Sequence, residues 1–427
     1  MKKILAILLC LSMLLCFMPT AAFAAEEGGQ TLTSSGGEDE AGGQGETAYV
    51  AQIGKMQYET LDAAIAAAAD GATIRLLADC KTAGMNLNKD LTIDGSKATA
   101  EQAVAEGGEG EQTPSEQKGW TITFDEKGIA LWGKSLTFKN CDVVMNGIGS
   151  TPYAEWKWMA ICASKDASLF LENTTMTMDG TDAGNAHAIY FCSNNKLDLD
   201  NSKLEIKNYK QDALEWDGGD GGYNVNLTNS TYISDHNRSG FTGTFIAKAE
   251  NSNIDVINST GNGSNGSHFE FINSKVNFNN NGAHGLSAGR LVIDNSTVNA
   301  NGNGANGIHA ANLLKVQNNS VVNIRENQCT ISSKWAIPGA LYVSTDENEE
   351  SSIDTTSTVT ITENKGSGIL LKSGTLNVAD GAKLTVTNNA AVKLGYGGGV
   401  NVRGQLVLPA GTILYNNHAA TAGDDIY

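Results

Sequence analysis

Apolar and polar residues alternate along this chain in short runs, and an Asn joins the runs in pairs. In the stretch LDLDNSKLEI, apolar residues stand four and two places before Asn201 and three and five places after it. Alternation with a period of two is typical of strands that bury one face. Asn tolerates the left-handed backbone that a sharp bend needs. Each copy of this phrase therefore predicts a strand, a bend at Asn and a second strand.

The phrase recurs, and its spacing indicates how the copies are arranged. The Asn of successive copies are Asn140, Asn173, Asn201, Asn229, Asn251, Asn273, Asn295 and Asn318. They are 33, 28, 28, 22, 22, 22 and 23 residues apart. Such a repeat is typical of solenoids, in which each coil buries its apolar side chains by stacking on its neighbours. The sequence therefore predicts an all-β parallel β-helix in which Asn side chains bond from coil to coil.

Outside the repeat, the changing pattern divides the chain into segments. Residues 1–24 carry Lys2 and Lys3, an apolar run and an A-x-A site that ends at Ala24, which together predict a secretory signal peptide. Residues 25–47 are rich in Gly, Glu, Ser and Thr and are expected to form a disordered leader. Residues 97–118 are acidic and are expected to be a loop insertion, and residues 119–427 form the predicted β-helix.

Residues 48–96 predict a cap followed by the first coil. A strand should lead into a short helix that Thr60 caps and Gly71 ends, with Leu61 and Ala64 on its apolar stripe. Two more strands should follow the helix. A helix in this place would cover the first coil, whose open end otherwise exposes unpaired backbone and apolar core.

Composition narrows the range of partners. The formal charge of the whole chain is -18, and removal of Lys2 and Lys3 makes it -20. A chain this acidic is not expected to bind nucleic acid or anionic lipid. No stretch after the signal is long and apolar enough to span a bilayer, so membrane insertion is not expected. Five Cys remain after the signal, an odd number without C-x-x-C spacing, which favours buried thiols over disulfides or a zinc site.

Several stretches resemble a known family. The phrases GKMQYETLDAAIAAAADGATIRLLAD and LNKDLTIDG, together with the Asn-marked coils, resemble right-handed parallel β-helix (pectin-lyase-like) domains of secreted and cell-surface adhesin-like proteins of Gram-positive bacteria. The ending NNHAATAGDDIY resembles the close of such domains, where further modules commonly follow. The resemblance implies a right-handed coil and an extracellular protein held at the cell surface through modules missing from this chain. It does not imply one activity, because this fold serves adhesins, lyases and glycosidases alike.

A third strand is expected in each coil, and it carries the candidate chemistry. If Ile161, Ile189 and Leu214 point inward, then Cys162, Tyr190 and Glu215 form one outward column. In the β-helix lyases and glycosidases that the chain resembles, the equivalent strand and its loops form the substrate cleft.

Carboxylates are dense near this strand. Glu215 and Asp217 lie two residues apart on one strand face, which places them about 7 Å apart at Cα. Paired carboxyls at such distances can act as acid and as nucleophile or base in glycoside hydrolysis. Glu215, Asp217 and Asp212 are therefore the candidate catalytic residues. Solvated carboxylates, or a structural Ca²⁺ held by carboxylate oxygens, are the alternatives, and no cofactor is otherwise expected.

Aromatic, imidazole and cationic side chains nearby could bind a sugar. The candidate substrate-binding residues are His187, Tyr190, Trp156, Trp158, His236 and Arg238. Aromatic rings can cover the apolar C–H faces of sugars, although ordinary loop packing is the alternative. Trp216 should point inward by strand parity. His284 and His309 should have no fixed partner in the repeat, and no metal-ligand set is expected.

Two functions follow as hypotheses. The first is an adhesin or glycan-recognition module that binds a glycan or a host or matrix surface. The second is a carbohydrate-active enzyme, with a glycoside hydrolase favoured over a polysaccharide lyase because Arg238 is the only arginine in the cluster. A lyase needs cations to neutralise a uronic acid carboxylate. The oligomeric state is left open.

Overall fold

A computed structural model describes residues 48–97, 119–218, 224–329, 339–391 and 396–427. In these ranges the chain is a parallel β-helix with one short helix near its N-terminal end. The predicted fold class, an all-β solenoid with a helical cap, is confirmed. The predicted signal peptide, the leader and residues 98–118 of the insertion lie outside the described residues.

The N-terminal cap is a small antiparallel unit. Strand β1 (Ala51–Ile53) pairs antiparallel with β2 (Met56–Tyr58) and with β3 (Ala72–Leu76). Helix α1 (Leu61–Ala67) begins after Thr60, whose hydroxyl oxygen accepts the backbone N–H of Ala63 at 3.1 Å. The sequence predicted this helix and its N-cap correctly, but it predicted only one strand before the helix. The helix ends at Ala67, four residues before the predicted Gly71, and Ala68 is its C-cap.

Each later coil contributes one strand to each of three faces. Face one holds the strands that precede the Asn bends. Its strands are β6 (Leu91–Asp94), β9 (Ser135–Lys139), β12 (Ser168–Glu172), β15 (Lys196–Asp200), β18 (Val225–Thr228), β21 (Ile246–Glu250), β30 (Ser351–Ile353), β33 (Thr375–Val378) and β37 (Gln405–Val407).

Face two holds the strands that follow the bends, and all its strand pairs are parallel. Its strands are β4 (Cys80–Thr82), β7 (Trp120–Phe124), β10 (Cys141–Asn146), β13 (Thr175–Asp179), β16 (Lys203–Lys207), β19 (Thr231–Asp235), β22 (Asn253–Ile257), β24 (Lys275–Asn279), β26 (Thr297–Asn301), β28 (Val321–Arg325), β31 (Thr358–Thr362), β34 (Lys383–Thr387) and β38 (Ile413–Tyr415).

Face three completes the coil, and three long strands join it to face one in the middle of the solenoid. Its separate strands are β5 (Met85–Leu87), β8 (Ile129–Leu131), β11 (Met159–Ala163), β14 (His187–Phe191), β17 (Leu214–Trp216), β20 (Phe241–Gly243), β29 (Gly339–Ser344), β32 (Ser367–Ser373) and β36 (Val400–Val402). The joining strands are β23 (Ser264–Ile272), β25 (Leu286–Asp294) and β27 (Ile308–Gln317). A pair of short strands, β35 (Ala390–Ala391) and β39 (His418–Ala419), lies near the C-terminal end.

The bends behave as the sequence predicts. All eight Asn that mark the copies have a φ between 45° and 57°. The predicted apolar pairs on both sides of these bends are buried. Asn side chains bond from coil to coil at several bends, for example Asn201 Nδ2 to Asn173 Oδ1 at 2.6 Å. Ser follows five of the eight bends, from Asn201 to Asn295, and adds an unpredicted inner row. For example, the backbone N–H of Ser202 donates to Ser230 Oγ at 3.0 Å.

A second row of Asn, which the sequence analysis did not predict, runs through the core where face two ends. This buried Asn ladder consists of Asn281, Asn303, Asn327, Asn364, Asn389 and Asn417. Its members are at most 6% exposed. Each side-chain N–H donates to the carbonyl oxygen of the next Asn side chain at 2.8–3.0 Å. The ladder satisfies polar groups that the turn would otherwise leave buried and unpaired.

Candidate functional site

The register of face three places the predicted outward column. Cys162 pairs with Tyr190, and Tyr190 pairs with Glu215 on the next coil. Ile161, Ile189 and Leu214 are buried in the core, as is Trp216. The parity prediction is therefore confirmed. Tyr190 and Glu215 are half-buried, whereas Cys162 is covered.

Three ionisable side chains meet where β14 and β17 lie side by side, and we call them the face-three cluster: His187, Asp212 and Glu215. His187 begins β14, Glu215 lies within β17, and Asp212 lies two residues before β17. One potential ligand atom from each lies within 4.8 Å of the others. His187 Nδ1 is 2.7 Å from Glu215 Oε2. The structure thus brings together three residues that the sequence singled out separately.

Asp212 is held by Arg238 from the following coil. Its side chain is 0% exposed. Arg238 Nε donates to Asp212 Oδ1 at 2.8 Å, and the guanidinium nitrogen Nη2 of Arg238 donates to Oδ2. This hydrogen bonding raises the pKa of the Arg238 guanidinium, so the arginine stays charged. Both oxygens of the buried Asp212 are therefore engaged by the partly exposed Arg238 guanidinium.

Tyr190 and Asp217 form a second contact on the same face. The Tyr190 hydroxyl donates to Asp217 Oδ2 at 3.2 Å. Burial and the nearby Asp217 carboxylate raise the pKa of the Tyr190 phenol, which keeps it protonated. Asp217 itself is exposed. Glu215 and Asp217 are therefore the carboxylates that a ligand on this face could reach.

An exposed tryptophan lies beside the cluster. Trp158 is 59% exposed and borders a cavity of 290 Å³, the Trp158 pocket, together with Asn185, His187 and Gln211. Gln211 Nε2 donates to Asn185 Oδ1 at 2.8 Å. The backbone N–H of His187 donates to the Trp158 carbonyl oxygen at 2.9 Å, which fixes the loop to the strand. A flat apolar ring beside amide groups is an arrangement that suits a sugar.

Asn185 and Gln211 were not predicted from the sequence. Asn185 lies two residues before β14 and Gln211 three residues before β17, and each is close in sequence to an already chosen residue, His187 or Asp212. Their position just before the third strand of each coil was the available signal.

Besides Tyr190 and Arg238, two more of the predicted substrate-binding residues lie outside the lining of this pocket. Trp156 stacks on Trp132, with ring centroids 4.5 Å apart and planes 21° apart, and Tyr153 packs edge-on against both rings. His236 lies at a bend with its Nδ1 2.6 Å from Asp235 Oδ1, and its side chain is 62% exposed. The pocket lining includes neither residue.

The expectation that His284 and His309 have no fixed partner is wrong. The His309 ring stacks on Tyr342, with centroids 4.3 Å apart, and lies 5.5 Å from the His284 ring. Burial, with a smaller contribution from His284, lowers the pKa of His309 to about 4. The stacking arises because β25, β27 and β29 are neighbours on face three.

The cysteines behave as small buried side chains. None of the five in the described residues forms a disulfide, and all but Cys192 are buried. Burial raises the pKa of Cys80, Cys141 and Cys329 to about 12. Such thiols are poor nucleophiles and poor metal ligands.

By its fold and its site, this protein is a parallel β-helix that carries ionisable and aromatic side chains on one face. Comparisons with protein-family models, with curated proteins and with solved structures each found no match to this chain. In the described part of the chain, no helix combines the length and the hydropathy that crossing a membrane requires. The function is therefore argued from the site itself.

Proposed function

We propose that this chain is a secreted or cell-surface, adhesin-like β-helix that recognises glycans on face three. The observation that carries the proposal is Trp158, which is 59% exposed at the edge of a pocket also lined by Asn185, His187 and Gln211. The resemblance of the N-terminal phrases to pectin-lyase-like domains of Gram-positive surface proteins supports the same location and role.

The arrangement suits a sugar for physical reasons. A pyranose ring can lay its C–H face on the indole while its hydroxyls bond to the neighbouring amides and imidazole. Covering about 100 Å² of the indole is worth about 2 kcal/mol, which is about a 30-fold change in Kd. The partner amides are held to each other by a hydrogen bond of 2.8 Å, so little ordering is needed when a ligand binds.

A glycan array probed with the purified chain and with Trp158→Ala tests the proposal. We expect binding to a defined set of glycans and its loss in Trp158→Ala. The matched control is Tyr415→Ala, which removes an equally exposed aromatic, at 59%, from β38 on face two and should leave binding intact. Binding that persists in Trp158→Ala, or that Tyr415→Ala abolishes, would contradict the assignment of the site.

A second candidate, a glycoside hydrolase, is supported by Glu215 and Asp217. Both carboxylates lie on the face that carries the Trp158 pocket, and Glu215 touches His187. A lyase has less support because Arg238 is bound to Asp212 and so is not free to neutralise a uronate. Release of reducing sugar from mucin or plant polysaccharide should vanish in Glu215→Gln if this candidate is correct. Equal sugar release by the variant would eliminate Glu215.

A further inference from the structure

The face-three cluster has the composition of a metal-ligand set. His187, Asp212 and Glu215 offer one imidazole nitrogen and two carboxylate oxygens, all within 4.8 Å of one another. They come from β14 and from the segment at the start of β17, which are hydrogen-bonded neighbours in face three. The backbone therefore holds the donors in place, as a preformed site requires.

Two of the donor atoms are shut off from solvent and have no well-directed partner. His187 Nδ1 and Glu215 Oε2 are 2.7 Å apart, yet among the described residues neither has a hydrogen bond of acceptable geometry. A buried polar atom in that condition destabilises the fold, because it has lost water without gaining a partner. A cation placed between the two atoms would satisfy both at once.

The local charges favour a dication. Asp212, Glu215 and Asp217 supply three carboxylates, and Arg238 is the cation bound among them. Adding two positive charges would bring this partly buried group to neutrality. Each Asp212 oxygen that accepts from Arg238 still has a second lone pair. Arg238 would then orient Asp212 as an outer partner, since carboxylate ligands of metals are commonly hydrogen-bonded themselves.

We propose that His187, Asp212 and Glu215 bind one divalent transition metal ion, with Zn²⁺ as the representative. An imidazole ligand excludes Ca²⁺ and Mg²⁺ as preferred ions, because these take oxygen ligands, whereas one nitrogen and two oxygens suit Zn²⁺ or Mn²⁺. Three protein ligands leave a coordination position open towards the Trp158 pocket, where water or a sugar hydroxyl can bind. The metal site does not depend on the proposed glycan function.

Calorimetric titration of the chelator-treated chain with Zn²⁺ tests the proposal. We expect one Zn²⁺ per chain with a Kd of about 1 µM or tighter. His187→Gln and Glu215→Gln should each weaken binding about 10- to 100-fold. His236→Gln is the control because His236 is the exposed imidazole beside Asp235, and binding should be unchanged. Co²⁺ should give a visible absorption band that His187→Gln abolishes.

Several results would overturn the site. These are the absence of stoichiometric Zn²⁺ binding, binding that survives in both His187→Gln and Glu215→Gln, and binding that His236→Gln removes. Thermal melts of each variant show whether it is folded. If His187→Gln does not fold, Glu215→Gln still tests the site, because it keeps the size of the side chain. Trp158→Ala should still bind Zn²⁺, which separates failure of this site from failure of glycan recognition.

Discussion

Asn303 is one member of the buried Asn ladder, and its replacement by Ala should lower the free energy of unfolding strongly. Its side chain takes part in four hydrogen bonds, which join it to Asn281 twice, to the Phe278 carbonyl oxygen and to Asn327 Oδ1, at 2.9–3.0 Å. Asn303 is 0% exposed, so water cannot easily replace these partners. Asn303→Ala therefore leaves the backbone N–H of Asn281 buried without its acceptor.

The size of the effect can be worked out from these bonds. A typical hydrogen bond contributes about 1 kcal/mol net, and an orphaned buried donor costs about 1–3 kcal/mol. Three lost bonds at about 1 kcal/mol each and one orphaned donor at about 1–3 kcal/mol give about 4–6 kcal/mol. That is a large part of the ordinary stability of a protein, about 5–15 kcal/mol. In a solenoid the damage also weakens the interface between neighbouring coils.

Asn299→Ala is the matched control in the same coil. Asn299 makes the same kind of contact on the outer surface of face two, donating to Asn277 at 2.8 Å and accepting from Asn323 at 2.9 Å. Water can reach this position, so we expect a cost below about 1 kcal/mol. Urea unfolding followed by circular dichroism measures both variants. Equal losses for the two variants, or a loss below 1 kcal/mol for Asn303→Ala, would refute the role of the ladder.

Three further outcomes are expected from the packing and the pKa values. Trp156→Ala should lower the free energy of unfolding by about 1–3 kcal/mol, because it removes the stack on Trp132, while glycan binding on the array is retained. Gly243 has a φ of +114°, and a Cβ there would lie 1.9 Å from the Trp216 carbonyl oxygen, so Gly243→Ala should lower the melting temperature sharply. Burial lowers the pKa of His309 to about 4, so the folded chain favours the neutral ring. The contribution of His309 to the free energy of unfolding is therefore complete above pH 6.5 and is lost as the pH falls through about 4. Urea unfolding at pH 7.5 and 4.5 should show a smaller drop for His309→Gln than for the unaltered chain, by about 2 kcal/mol, and equal drops would contradict the assignment.

The coil architecture could be predicted from the sequence because its causes are local. Alternation decides which side chains are buried, and the Asn bend needs only the left-handed backbone that Asn201 and its equivalents adopt. Counting from those Asn also placed Cys162, Tyr190 and Glu215 in one column. The buried Asn ladder had the same kind of signal, because five of its six Asn, from Asn281 to Asn389, follow the last apolar residue of the face-two strand by three positions.

The site contacts depend on distances that no local pattern encodes. The bond between Arg238 and Asp212 depends on how two loops of neighbouring coils lie against each other. Tyr342 reaches His309 because β29 pairs parallel with β27 and places the two residues opposite each other. Trp158 and Trp156 are two residues apart, yet only Trp158 borders the pocket. Such outcomes follow from loop packing, which alternation does not predict.

A crystal structure of the chain with the glycan that it binds best on the array would test glycan recognition on face three. We expect a sugar ring stacked on the Trp158 indole, with its hydroxyls within hydrogen-bond distance of Asn185, His187 or Gln211. A sugar bound on face one or face two, away from Trp158, would contradict it.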